Sequence, residues 1–167
     1  MLKECSQFDL IKLVWNKFPD LNQKDEGKCS VLIKSKFVAS FTLNKRLSYS
    51  LEFLDMTSSW PKWKQYPTGL EKTQWEEIDG VHLIEERNQI IVFGGKHNKS
   101  TAVLSFEEKS INITGIEFNT TGVPKHNKEK LIIRRSGNKL VVYEPNTVKS
   151  IYTYDIETRQ CQEFMKF

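Results

Sequence analysis

The sequence predicts an all-β protein assembled from repeated four-stranded antiparallel units. Three observations predict it. A motif of an aromatic or apolar residue followed by an acid recurs with its first residue at positions 8, 54, 106 and 154. The intervals between copies are 46, 52 and 48 residues, a period typical of a small sheet repeated along a chain. Between the copies lie short runs of β-branched and aromatic residues separated by polar turns, the composition of strands.

The copies align closely. Residues 154–164 lie on residues 8–18 without a gap, so that Tyr154 meets Phe8, Asp155 meets Asp9 and Phe164 meets Phe18. Residues 106–116 form another copy, with Phe106 first, Glu107 for the acid and Ile113 for Trp15. The remaining copy, Leu54-Asp55-Met56-Thr57, reaches Trp63 and Tyr66 after a two-residue insertion. Upstream of the last three copies stand two more strand-like runs each: residues 30–33 with 37–41, 81–84 with 90–93, and 130–133 with 140–143. Turns at residues 86–89 and 136–139, rich in Asn and Gly, suit tight hairpins. The first copy carries only its last two strands. The expected organisation of the single domain 1–167 is therefore a half unit at 1–22 and full units at about 28–68, 78–118 and 128–167. Residues 67–70 and 120–124 contain Gly and Pro and are expected to be connectors.

These residues resemble the kelch repeat. Residues 88–95, ending in Gly94-Gly95, are similar to its second strand, and residues 150–158 to its third strand and the following turn. The resemblance is degenerate. Thr42-Leu43 and Glu144-Pro145 stand where the double glycine is expected, and the outer-strand Trp survives as Trp15 and Trp63 but not at Ile113 and Cys161. It implies kelch-type blades of a β-propeller, with the glycines at a strand end that needs positive φ or close approach. The acids Asp9, Asp55 and Asp155 are expected to accept hydrogen bonds from backbone N–H groups a few residues on and pin the turn. The Trp position is expected to fill the space between blades, with weaker packing where it is Ile or Cys. Three and a half blades leave an open ring, since propellers close with four to eight. Either the sequence is a piece of a longer chain, or the open faces are covered by a partner protein or a second copy, two copies supplying about seven blades.

Composition narrows function. The net charge of +4 is a mild excess, short of the concentrated basic stripe of a nucleic-acid binder. No apolar run is long enough for a membrane span and the start lacks a signal-peptide pattern, so a soluble cytoplasmic protein without membrane contact is expected. His82, His97, His126 and the three cysteines show no metal-ligand spacing, and neither a nucleophile elbow nor a phosphate-cradling loop is present. No cofactor, metal or catalytic residue is expected. The carboxylate pairs Glu76-Glu77, Glu85-Glu86 and Glu107-Glu108 read as solvated positions, since neighbours on a strand point to opposite faces. The function expected is a non-catalytic protein-interaction or scaffold module within a larger assembly. The alternatives are an oxidase-like propeller enzyme and a weakly basic nucleic-acid-associated subunit, the latter resting on Lys34, Lys36, residues 125–130 and Arg134-Arg135. The candidate partner-binding residues are Trp60 and Trp63 in the insertion and Trp75 in the long connector, because exposed Trp is favoured at binding hot spots.

Overall fold

The computed structural model describes residues 4–22, 29–34, 36–43, 48–71, 77–95, 100–107, 112–120, 131–145 and 150–167. Among them the protein is all-β, with fourteen strands and one turn of 3-10 helix at Glu85–Arg87. Sheet I is the hairpin β1 (Cys5–Asp9) and β2 (Val14–Phe18). Sheet II takes β3 (Ser30–Ile33), β4 (Phe37–Leu43), β5 (Ser48–Asp55) and β6 (Trp63–Glu71). Sheet III takes β7 (Glu77–Ile84), β8 (Gln89–Gly95), β9 (Ser100–Glu107) and β10 (Asn112–Thr120). Sheet IV takes β11 (Ile132–Ser136), β12 (Lys139–Tyr143), β13 (Ser150–Asp155) and β14 (Cys161–Lys166). In every sheet consecutive strands pair antiparallel, so each is a local meander like a propeller blade.

The four copies of the motif occupy one position. Each begins at the penultimate residue of its strand, and each first residue faces the same cross-strand partner: Phe8 opposite Trp15, Leu54 opposite Trp63, Phe106 opposite Ile113, Tyr154 opposite Cys161. The acids behave alike too. Asp9 Oδ1 accepts from the Ile11 and Lys12 N–H groups at 2.9 Å, and Asp155 Oδ1 from Glu157 and Thr158 at 2.9 and 2.8 Å. Asp55 Oδ1 accepts from the Thr57 N–H and hydroxyl at 2.8 and 2.7 Å. In sheets I and IV the turn then closes through a left-handed residue at the same place, Leu13 at φ 54° and Arg159 at φ 59°.

Packing runs from sheet to sheet in chain order. Leu54 and Trp63 of sheet II enclose Leu21, with Cys5 and Phe18 of sheet I against them. Phe106 of sheet III packs with Phe41 and Phe53 of sheet II. Tyr154 and Ile156 of sheet IV pack with Ile91 and Phe93 of sheet III, the Phe93 and Tyr154 rings meeting edge-on at 5.4 Å. The anchor of each sheet therefore points at the sheet before it. Strand β8 shows why both faces are filled: Ile90 and Val92 join the cluster with sheet II, Ile91 and Phe93 the cluster with sheet IV.

Several expectations need correction. Residues 67–70 are no connector but part of β6. That strand lies at a sheet edge, where a proline without N–H is tolerated, and a bulge shifts its register between the pairs Tyr49–Leu70 and Ser50–Pro67. Residue 120 likewise ends β10, and 121–124 lie outside the described residues. The counterpart of Phe18 is Met165, because an irregularity in β14 between the pairs Ile151–Met165 and Tyr152–Glu163 inserts Phe164 as an extra residue. Gly94 does sit at positive φ, 152°. Gly80 marks a close approach between sheets III and IV: a Cβ there would lie 2.7 Å from Ile133 Cδ1 and 3.2 Å from Leu131 Cβ. The Leu131 N–H donates to the Asp79 carbonyl at 2.9 Å beside it.

The anchors predict a graded response to truncation. Leu54 and Tyr154 are 0% exposed and Phe106 5%, whereas Phe8 is 38% exposed. Leu54→Ala, Phe106→Ala and Tyr154→Ala should each cost about 2–5 kcal/mol, the range for buried large-to-small changes. Phe8→Ala should cost about 1 kcal/mol or less, since its ring is already partly in water. Urea denaturation at low protein concentration measures this; equal losses at all four sites would contradict the seam order.

Candidate interaction surfaces

A stack of sheets has two terminal faces, and the sequence puts apolar side chains on both, on sheet IV beside Arg134, Thr153 and Gln162. Strand alternation sends Cys5 and Phe18 of sheet I toward sheet II, so Phe8 and Trp15 point the other way. Their rings form a cross-strand pair with centroids 5.0 Å apart, and Trp15 is 71% exposed. The Asp9-pinned turn presents Leu10, Ile11 and Leu13 beside them, all exposed. In sheet IV, Leu140, Val142, Tyr152 and Tyr154 face sheet III. Alternation leaves Val141, Tyr143 and Ile151 on the far face, half-buried, with Met165 opposite Ile151 and exposed. Phe164 and Phe167 are exposed nearby in sequence.

The tryptophans divide. Trp60, in the turn between β5 and β6, is 85% exposed. Trp63 is buried in the seam of sheets I and II, where its indole N–H donates to the Pro19 carbonyl at 2.7 Å. Asn22 reinforces this seam: its side-chain amide donates to the Trp63 carbonyl at 2.8 Å, and its backbone N–H to buried Glu52, also at 2.8 Å. Trp63 thus serves as an inter-sheet filler, and of the pair only Trp60 meets solvent. Trp75 lies outside the described residues, as do residues 125–130. A cleft of about 360 Å³ opens between sheets I and II, lined by Cys5, Phe18, Val38, Met56 and Trp63 among others.

The hairpin tips form a polar line across the stack. Glu85 and Glu86, read from the sequence as solvated, reach in opposite directions. Glu85 accepts from the Lys34 N–H of sheet II at 3.0 Å. Glu86 binds the Arg135 guanidinium of sheet IV through both carboxylate oxygens, one bond at 2.9 Å. Arg87 pairs with Glu157, and Arg159 with Glu117, across the same seam of sheets III and IV. Arg135 is therefore already engaged within the chain. Its guanidinium holds Glu86 down at about 2, far below the usual 4.5. His82, on the sheet IV side of β7, is held below its usual value by burial and then by Arg135 and Arg134. Burial in this seam also pushes the Cys161 thiol up to about 11.

The sequence singled out Phe8 and Trp15 as repeat positions but not the apolar turn Leu10, Ile11 and Leu13, nor Met165. The signal was present. The alignment sets Leu10 on Ile156, which is buried, yet Leu10 is exposed. Among the described residues no three His, Cys, Asp or Glu side chains gather as a metal site, and no helix is long and apolar enough to cross a membrane. Fold and surface together define an all-β protein of stacked antiparallel sheets, three of them four-stranded among the described residues, with exposed apolar side chains on both terminal faces. No protein-family model and no curated protein matches the chain.

The seam of sheets III and IV should be sensitive to acid. The lowered pKa of His82 makes the folded state bind fewer protons than the unfolded one below about pH 6.5, the ordinary value, so stability falls as pH drops from there. Glu86 contributes stability fully above 4.5, lost as pH falls toward about 2. Denaturation midpoints between pH 7 and 2.5 should decline for the wild type. Glu86→Gln should flatten the part of the decline below pH 4.5 and steepen the upper part, because the Glu86 charge opposes the lowering of His82 by Arg135 and Arg134.

Proposed function

We propose that this chain is a non-catalytic protein-binding scaffold of kelch-like blades, and that its terminal faces are its binding surfaces. One observation supports this above others. Phe8, Leu10 and Trp15 reproduce at the free end of sheet I the positions of Tyr154, Ile156 and Cys161, which sheet IV buries against sheet III. The anchor and its cross-strand partner, which pack in a seam in each of the other three sheets, are left partly or largely in water at this end. Contiguous exposed apolar surface of this kind marks association sites in soluble proteins. Rigid aromatics such as Trp15 and Trp60 are the residue type that anchors protein interfaces. The engagement of Arg135 by Glu86 favours this reading over a nucleic-acid surface, because that arginine's donors are already directed at a carboxylate.

The kelch-like reading adds that the sheets are blades and the missing neighbours are blade faces. The test is affinity capture with wild type, Trp15→Glu, Trp60→Glu and a charge-reversal control at an exposed position, Lys64→Glu. A protein recovered stoichiometrically with wild type and the control, and lost with Trp15→Glu or Trp60→Glu, is the expected result. Metal or turnover in the purified protein, with capture unchanged in both tryptophan variants, would refute the scaffold reading.

A further inference from the structure

The two terminal faces match one another in a way that neither matches an internal seam. At the seam of sheets III and IV, the later sheet offers Tyr154, Ile156 and Cys161, and the earlier sheet receives them on the face bearing Ile91 and Val103. Val103 lies three residues before the anchor Phe106, as Ile151 lies three before Tyr154. Across from Val103 stand Ile91 and Glu117; across from Ile151 stand Tyr143 and Met165. The far face of sheet IV therefore presents Tyr143, Ile151 and Met165 where sheet III presents Ile91, Val103 and Glu117.

One matched pair of positions points to the occupant. In the seam of sheets III and IV, Arg159 binds Glu117. Arg159 lies five residues past its anchor, and the residue five past Phe8 is Leu13, which shares the left-handed backbone of Arg159. The counterpart of Glu117 is Met165. Both members of the ion pair are thus apolar at the free ends, Leu13 at one and Met165 at the other. Sheet I set on a face like that of sheet III would put Leu13 beside the Glu117 carboxylate, which keeps its water and loses its ion partner, so the two side chains would not match. Sheet I set on sheet IV of a second copy brings Leu13 to Met165, and Phe8 and Trp15 to Tyr143 and Ile151.

We propose that two copies of the chain associate head to tail, sheet I of one packing on the far face of sheet IV of the other with the geometry of the internal seam. This rests on the terminal faces being protein-binding surfaces and names their occupant. The contact is heterologous, so it ends only by closing into a ring. Among the described residues each copy has three four-stranded sheets and one of two strands, so two copies joined at both seams hold about seven blades' worth of strands. Propellers close with four to eight blades.

Sedimentation equilibrium of the 167-residue chain tests this. Wild type should have twice the monomer mass. Trp15→Glu destroys the sheet I face and Met165→Glu the sheet IV face; both side chains are exposed, and circular dichroism verifies that each variant keeps its strands. Each alone should weaken association about thirtyfold or more, the scale of losing an interface anchor. Mixed in equal amounts they should recover a dimer, because Trp15→Glu retains an intact sheet IV and Met165→Glu an intact sheet I. A monomeric wild type, a Met165→Glu variant that associates as wild type does, or a mixture that stays monomeric would each overturn the proposal. A monomeric wild type that still loses a captured protein on Trp15→Glu would sink self-association alone and leave the scaffold reading standing.

Discussion

The structure depends on one constraint: a four-stranded sheet that is apolar on both faces needs a neighbour on each side. Strand β8 states it most sharply, since Ile90, Ile91, Val92 and Phe93 alternate between two clusters and all are buried. Such a strand loses about 25 cal/mol for every Å² of apolar surface left in water. A single antiparallel sheet with one wet face would alternate apolar and polar residues, and β8 does not. Stacking is the geometric answer, and the anchors set its direction. Phe106 points back to sheet II and Tyr154 back to sheet III, so the chain lays each sheet against the last. Gly80 sharpens the fit at the inner end of the seam between sheets III and IV, where Ile133 occupies the place a side chain would take.

Polar contacts orient what apolar burial holds. Exposed ion pairs such as Arg87–Glu157 contribute little each. Their value lies in geometry: the planar Arg135 guanidinium meets both oxygens of Glu86, and Glu85, one residue before, meets the Lys34 N–H on the opposite side. The turn at Glu85–Arg87 allows this. It closes on left-handed Asn88 at φ 50°, and its successive carboxylates reach toward two different sheets. Buried Glu52 does the comparable work between sheets I and II, taking the Asn22 N–H on one oxygen and the Thr42 hydroxyl on the other at 3.2 Å.

Local relations were legible in the sequence and long-range ones were not. The hairpin from anchor to outer strand spans few residues, so its register survives as an alignment, and Phe8, Leu54, Phe106 and Tyr154 could be placed together with their partners. The turn-pinning acids were legible for the same reason: Asp155 and the N–H groups of Glu157 and Thr158 are neighbours in sequence. Bulges escaped. Phe164 looks like the equal of Phe18, and only the pairing of strands shows that it is an inserted residue. Pro67 looks like a breaker, and only its place on an edge strand makes it tolerable in β6. The bridging of Glu85 and Glu86 escaped because their partners lie 51 and 49 residues away, in sheets whose relative placement is a property of the whole stack. Trp63 and Trp60 share a local sequence yet differ in fate, because Pro19, Leu21 and Asn22 return from sheet I to cover one of them.

Seams built from one repeat face a problem of identity: if every face resembled every other, sheets could stack in the wrong order. The polar positions bear on it. A seam that sets Arg159 against Glu117 favours a charged turn modestly, because the Glu117 carboxylate, more than half exposed, keeps its water whether or not it is paired. The turn of sheet I, with Ile11 and Leu13 where sheet IV has Glu157 and Arg159, offers that face no ion partner. At the position of Glu117, sheet IV carries Met165 and sheet II Tyr66, so sheet III alone of these three presents a carboxylate there. Apolar contacts thus supply the attraction that every seam shares, and the paired charges add a small preference for which sheet each face takes.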